Sequence, residues 1–178
     1  MRIVRIILGY LLSFTVFALA IPAAIIALGG GVDAVLRLPR WHGGPVSVII
    51  AIALGAWGLT WMIWSWWYLL SRGRGHPTEA FGVEVTPVTQ QLVTGGPYAY
   101  ARNPMVFGYV FVMLAIAALN GSAGMLAAIV LLSVIGWVNI VFFEEPRLAR
   151  RFGEAYHDYT RRVRRFLPLG RRGYRRAE

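Results

Sequence analysis

The apolar positions of this chain gather into four runs separated by polar segments. The first covers residues 3–28, interrupted by Ser13, Thr15 and Pro22. The second covers residues 46–70 and holds no charge, the third is the shorter stretch 104–119, and the fourth, 122–143, is again uncharged. Crossing ~30 Å of hydrocarbon at 1.5 Å per residue takes about 20 apolar residues in a helix. The first, second and fourth runs reach that length. The third gives roughly 24 Å, so it must borrow from the preceding loop, sit in locally thinned bilayer, or stop short. Asn120-Gly121-Ser122 turns it straight into the fourth run, and residues 104–143 therefore read as a helical hairpin. The first run is too long for the apolar part of a secretory signal peptide, and more spans follow, so it reads as a true first helix. The pattern predicts an all-α, polytopic membrane protein with about four transmembrane helices: two in residues 1–70, then a region 71–178 made of a loop (71–103), the hairpin (104–143) and a tail (144–178).

Charge gives this picture an orientation. Only 15% of the residues are charged, and the formal net charge is +10, all of the positive charge being arginine. Placing the N-terminus and C-terminus on the same inner side puts 16 of the 18 arginines there, the positive-inside pattern. The basic charge thus reads as a topology and headgroup signal, not as a nucleic-acid surface. A composition that is 57% apolar excludes a disordered chain. Cysteine is absent, and His42, His76 and His157 are scattered, so neither a disulfide framework nor a metal site is expected. Five tryptophans crowd the second run. Trp57, Trp61 and Trp64 can share one helix face, while Trp66 and Trp67 lie near its inner end. Helix packing and an interfacial aromatic belt account for them; a groove for a lipid chain is the other reading.

The loop and tail carry the candidate chemistry. Residues 71–103 are rich in Gly and Pro, without a clear helix, and long for a passive connection; Leu92, Val93, Tyr98 and Tyr100 are apolar bodies that a linker does not need. Arg102-Asn103-Pro104 suits the start of a helix, with Asn as cap and Pro in the first turn. A helix N-terminus beside an arginine also suits an anionic group. The fourth run ends in Glu144-Glu145-Pro146. Acids at a helix C-terminus oppose its dipole, so they call for a partner, either local arginines or a bound cation such as a sulfonium or amino group. From Arg147 to Leu167, Leu148, Phe152, Tyr156, Tyr159, Val163 and Phe166 recur every three or four residues among arginines, which predicts an amphipathic helix lying on the headgroups or folding over the loop. The arginines from 171 onward read as a lipid-attracted end.

These segments resemble a known superfamily. The run Gln91-Leu92-Val93-Thr94-Gly95-Gly96-Pro97-Tyr98-Ala99-Tyr100-Ala101-Arg102-Asn103-Pro104-Met105, with Gly108 beyond, is similar to the signature of the isoprenylcysteine carboxyl methyltransferases and phospholipid methyltransferases. Glu144-Glu145-Pro146, Leu148, Phe152-Gly153-Glu154-Ala155-Tyr156, Tyr159, Val163 and Pro168 follow as that superfamily's second motif, and residues 73–77 and Pro87 echo the loop of its bacterial members. The resemblance, over residues 73–168, implies S-adenosyl-L-methionine as cofactor, bound at the cytoplasmic face of a bacterial inner membrane without a Rossmann domain. Carried over by position, it implies a cofactor lined by Gln90, Gln91, Leu92, Val93, Tyr98, Asn103, Pro104, Met105 and Val106, with Glu144 holding its amino or ribose groups. Asn103 stands where many members have His, and Val106 where many have Tyr. Ile140 stands where the prenylcysteine enzymes have an arginine implicated in binding the substrate carboxylate.

The combined expectation is in-line methyl transfer to an acceptor delivered from the bilayer. Arg102 positions a cofactor carboxylate or an acceptor phosphate, and Glu144 and Glu145 bind cationic groups, one of them taking a proton if the acceptor is an amine. With Ile140 apolar, a carboxylate acceptor lacks its counter-charge, which favours a phospholipid amine or another lipophilic amphiphile. Two other classes stay open at this point: an NADPH-dependent membrane reductase of sterol type, for which the chain is short, and a non-catalytic scaffold or transport accessory that keeps the fold.

Overall fold

The computed structural model describes residues 2–41, 44–73, 79–80, 83–84 and 89–167. His42, His76, residues 74–77 and Pro87 of the loop motif, Pro168 and the terminal arginines lie outside them. The described regular structure is helical apart from one two-residue antiparallel pairing, Glu79 with Glu84 and Ala80 with Val83, between β1 (Glu79–Ala80) and β2 (Val83–Glu84). Helix α1 (Arg2–Phe14) runs through a π-turn, Thr15–Ala20, into α2 (Ile21–Leu36). Helix α3 (Pro45–Tyr68) is extended by a second π-turn, Leu69–Gly73. A 3-10 turn, Gly96–Ala99, precedes α4 (Pro104–Asn120); α5 (Ala123–Asn139) passes through a third π-turn, Ile140–Glu144, into α6 (Glu145–Phe152), and α7 (Glu154–Arg162) follows. Among the described residues, three helical stretches are long and apolar enough to cross a membrane, Ile7–Leu36, Pro45–Gly73 and Ala123–Phe152; the helix Pro104–Asn120 falls short of that length.

The helices pack in pairs, α3 on α4 and α2 on α5, with α4 and α5 joined as a hairpin. Each pair closes at glycines. A Cβ on Gly108 would lie 2.5 Å from the Gly58 carbonyl oxygen, and one on Gly58 would lie 2.5 Å from that of Gly108. Backbones that approach this closely maximise dispersion contact where lipid supplies no hydrophobic drive between helices. Gly29 and Gly124 bring α2 and α5 together in the same way, and Ile25, Met125, Ala128 and Ile129 of this pair form one core with Met113 and Ala117 of α4.

The first helix is longer than its apolar run. It continues to Leu36 and carries Asp33, which is 5% exposed. Asp33 is a cap supplied from another helix: its carboxylate accepts from Ser122 Oγ at 2.6 Å and from the Gly124 N–H at 2.7 Å, while Ser122 Oγ accepts from the Met125 N–H at 3.0 Å. These donors open α5, where an anion is favoured by the helix dipole. Arg40 Nε stands 3.8 Å from Asp33, and the Trp41 N–H donates to the Gly121 carbonyl at 3.1 Å.

The π-turns have a common cause in two of three cases, for Thr15–Ala20 precedes Pro22 and Ile140–Glu144 precedes Pro146. A proline inside a helix lacks an N–H and its ring crowds the carbonyl four residues back; a widened turn relieves the crowding. In the first turn the Ile21 N–H bonds to Val16, five residues back, so the Phe17 carbonyl loses its helical donor. Tyr109 of α4 fills the gap, donating its hydroxyl to Phe17 O at 2.6 Å, as the hydrocarbon environment requires.

Introducing a side chain at the α3–α4 contact should force the two backbones apart. Gly108→Leu is expected to destabilise the detergent-solubilised protein by about 1–3 kcal/mol, whereas Gly136→Ala, inside α5 where nothing lies within 4 Å of the new Cβ, should hold or raise the melting temperature. Thermal melts followed by circular dichroism make the comparison.

Candidate functional site

The site is assembled by the loop before α4, the junction of α5 with α6, and the tail. Two neighbours hold the loop. Tyr68, at the end of α3, lies flat on Gly95 and Gly96: a Cβ on Gly96 would meet the Tyr68 ring at 2.6 Å, and the residue has φ +56°, a left-handed conformation that glycine adopts without strain. On the other side Trp61, 8% exposed, packs edge-on against Tyr100 and Phe107 and lies 5.6 Å from Trp64. Trp57, Trp61 and Trp64 do share a face, and Trp61 locks the loop onto α3 and α4. Trp66 and Trp67 are 47% and 66% exposed at the end of the same helix.

The tail departs from one continuous amphipathic helix. Gly153, at φ +55°, separates α6 from α7, and Val163 leaves α7 in an extended conformation. The apolar face folds over the loop: Tyr156, Tyr159 and Val163 form a buried cluster onto which Leu92, Leu148 and Phe152 pack. The chain beyond Val163 then runs beside the start of α4, where the Arg102 N–H donates to Arg164 O at 2.8 Å and the Asn103 N–H to Arg165 O at 2.9 Å. Tyr159 donates its hydroxyl to Tyr98 O at 2.7 Å.

Asn103 precedes α4, but its side chain makes no capping bond. Its amide Nδ2 reaches instead to Arg165 O at 3.3 Å. The side chain thus ties the start of α4 to the tail and not to the helix's own N–H groups.

Glu144 and Glu145 do not stand at a helix C-terminus, contrary to expectation. The chain continues helically through the π-turn into α6, with Pro146 accommodated in its first turn, so the opposition to a helix dipole does not arise. Glu145 has local arginines as partners: Arg102 Nη1 lies 2.9 Å from Oε1, and Arg165 forks onto the carboxylate with Nε 2.8 Å from Oε1 and Nη2 2.7 Å from Oε2. Hydrogen bonding to Glu145 raises the pKa of Arg165 above its ordinary value. Arg102 keeps one buried nitrogen, Nε, without an acceptor among the described residues.

Three phenols line this junction. Burial raises the pKa of Tyr98 well above the ordinary tyrosine value, and the Glu144 carboxylate raises it further, which places that acid's field on the loop. Burial also pushes Tyr156 up to about 12, with Glu145 adding to the rise and the hydrogen-bonded Arg102 guanidinium opposing it. Tyr159 is raised by burial and then by the neighbouring Tyr98.

Of the residues singled out in the sequence, the structure brings together Arg102, Asn103, Tyr98, Glu144 and Glu145, with Leu92 on the tyrosine cluster. Val93 is buried against Gly73, whose carbonyl accepts from the Gln90 N–H at 3.0 Å. Gln90 and Gln91 are exposed, Pro104 is buried in the first turn of α4, Met105 is half-buried beside it, and Val106 is 38% exposed. Sequence reasoning missed Arg165. It sits among other arginines, and the apolar repeat runs on through Val163 to Phe166, so no local signal marks that the chain changes direction there.

The phospholipid methyltransferase family model matches residues 46–155, well over half of the chain, which therefore belongs to that family. Neither a curated protein nor a solved structure matches it.

The raised phenols make the junction sensitive to alkali. Unfolded tyrosines ionise near pH 10, whereas Tyr156 holds its proton to about 12, so the stability they contribute is complete below pH 10 and is lost as pH rises through about 12. Melting temperatures should fall steeply above pH 10, and Tyr156→Phe should flatten part of that fall. A phenolate absorbance titration in which all tyrosines ionise near pH 10 would contradict this.

Proposed function

We propose that this member of the phospholipid methyltransferase family is an integral membrane methyltransferase using S-adenosylmethionine, and that its acceptor is a phospholipid amine. The observation that carries the reading is the convergence of Arg102, Tyr98, Glu144 and Glu145 at one junction of loop, helix and tail. The residues suit the cofactor chemically. It is a zwitterion with an additional positive sulfur, and the junction offers an acid, Glu144, acting on the loop, and an arginine nitrogen, Arg102 Nε, buried without an acceptor among the described residues. When bound, the cofactor supplies a methyl group on a good leaving group, so the protein's work is to hold donor and acceptor in line and keep water out.

In this reading Glu144 takes the cationic amino or ribose groups, and Arg102 an anionic oxygen. Leu92, Val93 and Tyr98 wall the adenosyl side, with Gln90 and Gln91 at its rim and Asn103, Pro104, Met105 and Val106 forming the floor at the start of α4. Glu145, already forked by Arg165, orients Arg102; the proton released by an amine acceptor then falls to Glu144 or to water. Ile140 is apolar and 3% exposed, so an acceptor carboxylate there would be buried without a counter-charge, at a large cost; an amine headgroup carries no such penalty. The short helix Pro104–Asn120 would serve as a fourth span in thinned bilayer, with both termini and the junction on the cytoplasmic side of a bacterial inner membrane, as the arginine distribution favours.

Glu144→Gln is expected to remove measurable S-adenosylmethionine binding by calorimetry while leaving the melt intact. Membranes containing the wild-type protein, given methyl-labelled cofactor, should yield a labelled amine phospholipid by mass spectrometry. Unchanged cofactor affinity in the variant would remove Glu144 from the site.

A further inference from the structure

We propose that Arg165 is a positioning residue: through the Glu145 carboxylate it fixes the Arg102 guanidinium so that Arg102 Nε meets an anionic oxygen of the bound ligand. This rests on the methyltransferase reading and adds to it a residue from the tail. The geometry is a closed circuit. Arg165 grips both oxygens of Glu145, at 2.8 and 2.7 Å, and Oε1 of that carboxylate also takes Arg102 Nη1 at 2.9 Å. Two parallel N–H bonds from a planar guanidinium set the plane of the carboxylate, which a single ammonium contact does not do. The circuit closes through the backbone, because the carbonyls of Arg164 and Arg165 accept from the N–H groups of Arg102 and Asn103. Val163, 3% exposed against Tyr156 and Tyr159, anchors the chain that delivers Arg165.

A simple staple between tail and helix leaves one feature unexplained. The Arg165–Glu145 fork and the backbone bonds already join the two segments, yet Arg102 is also brought in, with its side chain 12% exposed and its Nε buried without an acceptor among the described residues. Burying a charged donor unpaired is costly. Held at Nη1 by Glu145 and hydrogen-bonded to Tyr156, Arg102 still has Nε to give among the described residues, a donor for an oxygen. The two guanidinium groups share one carboxylate, and with the Glu144 acid beside them the junction matches a zwitterion, whose anionic oxygen falls to Arg102. The oxygen has two possible sources of the same chemistry: the carboxylate at the amino-acid end of the methyl donor, or the phosphate of the lipid acceptor.

The test compares Arg165→Lys and Arg165→Gln with the full-length wild-type protein in detergent. Lys keeps the charge near Glu145 but cannot fork, so the Lys variant should melt like the wild type and still bind its ligand more weakly by about 10-fold. If the oxygen belongs to the donor, calorimetry shows that loss for S-adenosylmethionine and not for its decarboxylated analogue. If it belongs to the lipid, donor affinity is unchanged and KM for phosphatidylethanolamine in mixed micelles rises by about 10-fold with kcat preserved. Either pattern supports the proposal. Variants that keep wild-type donor affinity and wild-type KM overturn it, as does weakened binding in the Lys variant that follows only from a lowered melting temperature. A wild-type protein that binds no S-adenosylmethionine overturns the methyltransferase reading, and this proposal with it.

Discussion

A carboxylate withdrawn from water must be matched by positive charge with directed hydrogen bonds, and Glu145 is matched from two directions. Arg102 comes from the loop before α4 and Arg165 from the end of the chain, so one side chain ties together the three segments that make the site. Such ion pairs contribute little net stability compared with apolar packing of the same volume, but breaking one side leaves the other charge exposed to a medium that cannot solvate it. The arrangement therefore specifies geometry more than it stabilises the fold. It fixes which part of the tail lies beside α4, and with that the position of Tyr159 under Tyr98 and of Leu92 on the tyrosine cluster.

The helices beneath this junction are held by a different principle. Lipid is as apolar as the side chains it meets, so association depends on close approach and on polar groups that have nowhere else to bond. Gly58 with Gly108 and Gly29 with Gly124 supply the first. Asp33 at the start of α5 and Tyr109 on the Phe17 carbonyl supply the second. Gly108 lies just beyond the loop that carries the candidate chemistry, and its own place is in the helix contact.

The apolar runs were legible because a bilayer demands only length and composition. The meeting of Arg102 with the paired acids was legible because two motifs stand in order around a hairpin, and Tyr98 with Glu144 followed from the same order. Other features depended on three-dimensional placement. Nothing local announces that Asp33 will cap a helix some ninety residues away, since its own surroundings read as the end of an apolar run. The helix passing unbroken through Glu144 and Glu145 contradicted the expected stop because Pro146 is absorbed by the widened turn before it. Arg165 was hidden among identical neighbours, and the tail's extended exit at Val163 is set by the backbone of Arg102 and Asn103, not by its own sequence.

The π-turn at Ile140–Glu144 has a consequence for how this stretch is compared with others. One extra residue per widened turn rotates everything downstream by about 100° relative to a regular helix. The azimuth of Glu145, and hence its reach to Arg102, is thus encoded in a surplus residue and not in any side chain. An alignment that closes this stretch by a one-residue gap would superpose the letters and point the acids at the wrong neighbour, and a transplant of the acidic motif onto a straight helical scaffold must carry the surplus with it.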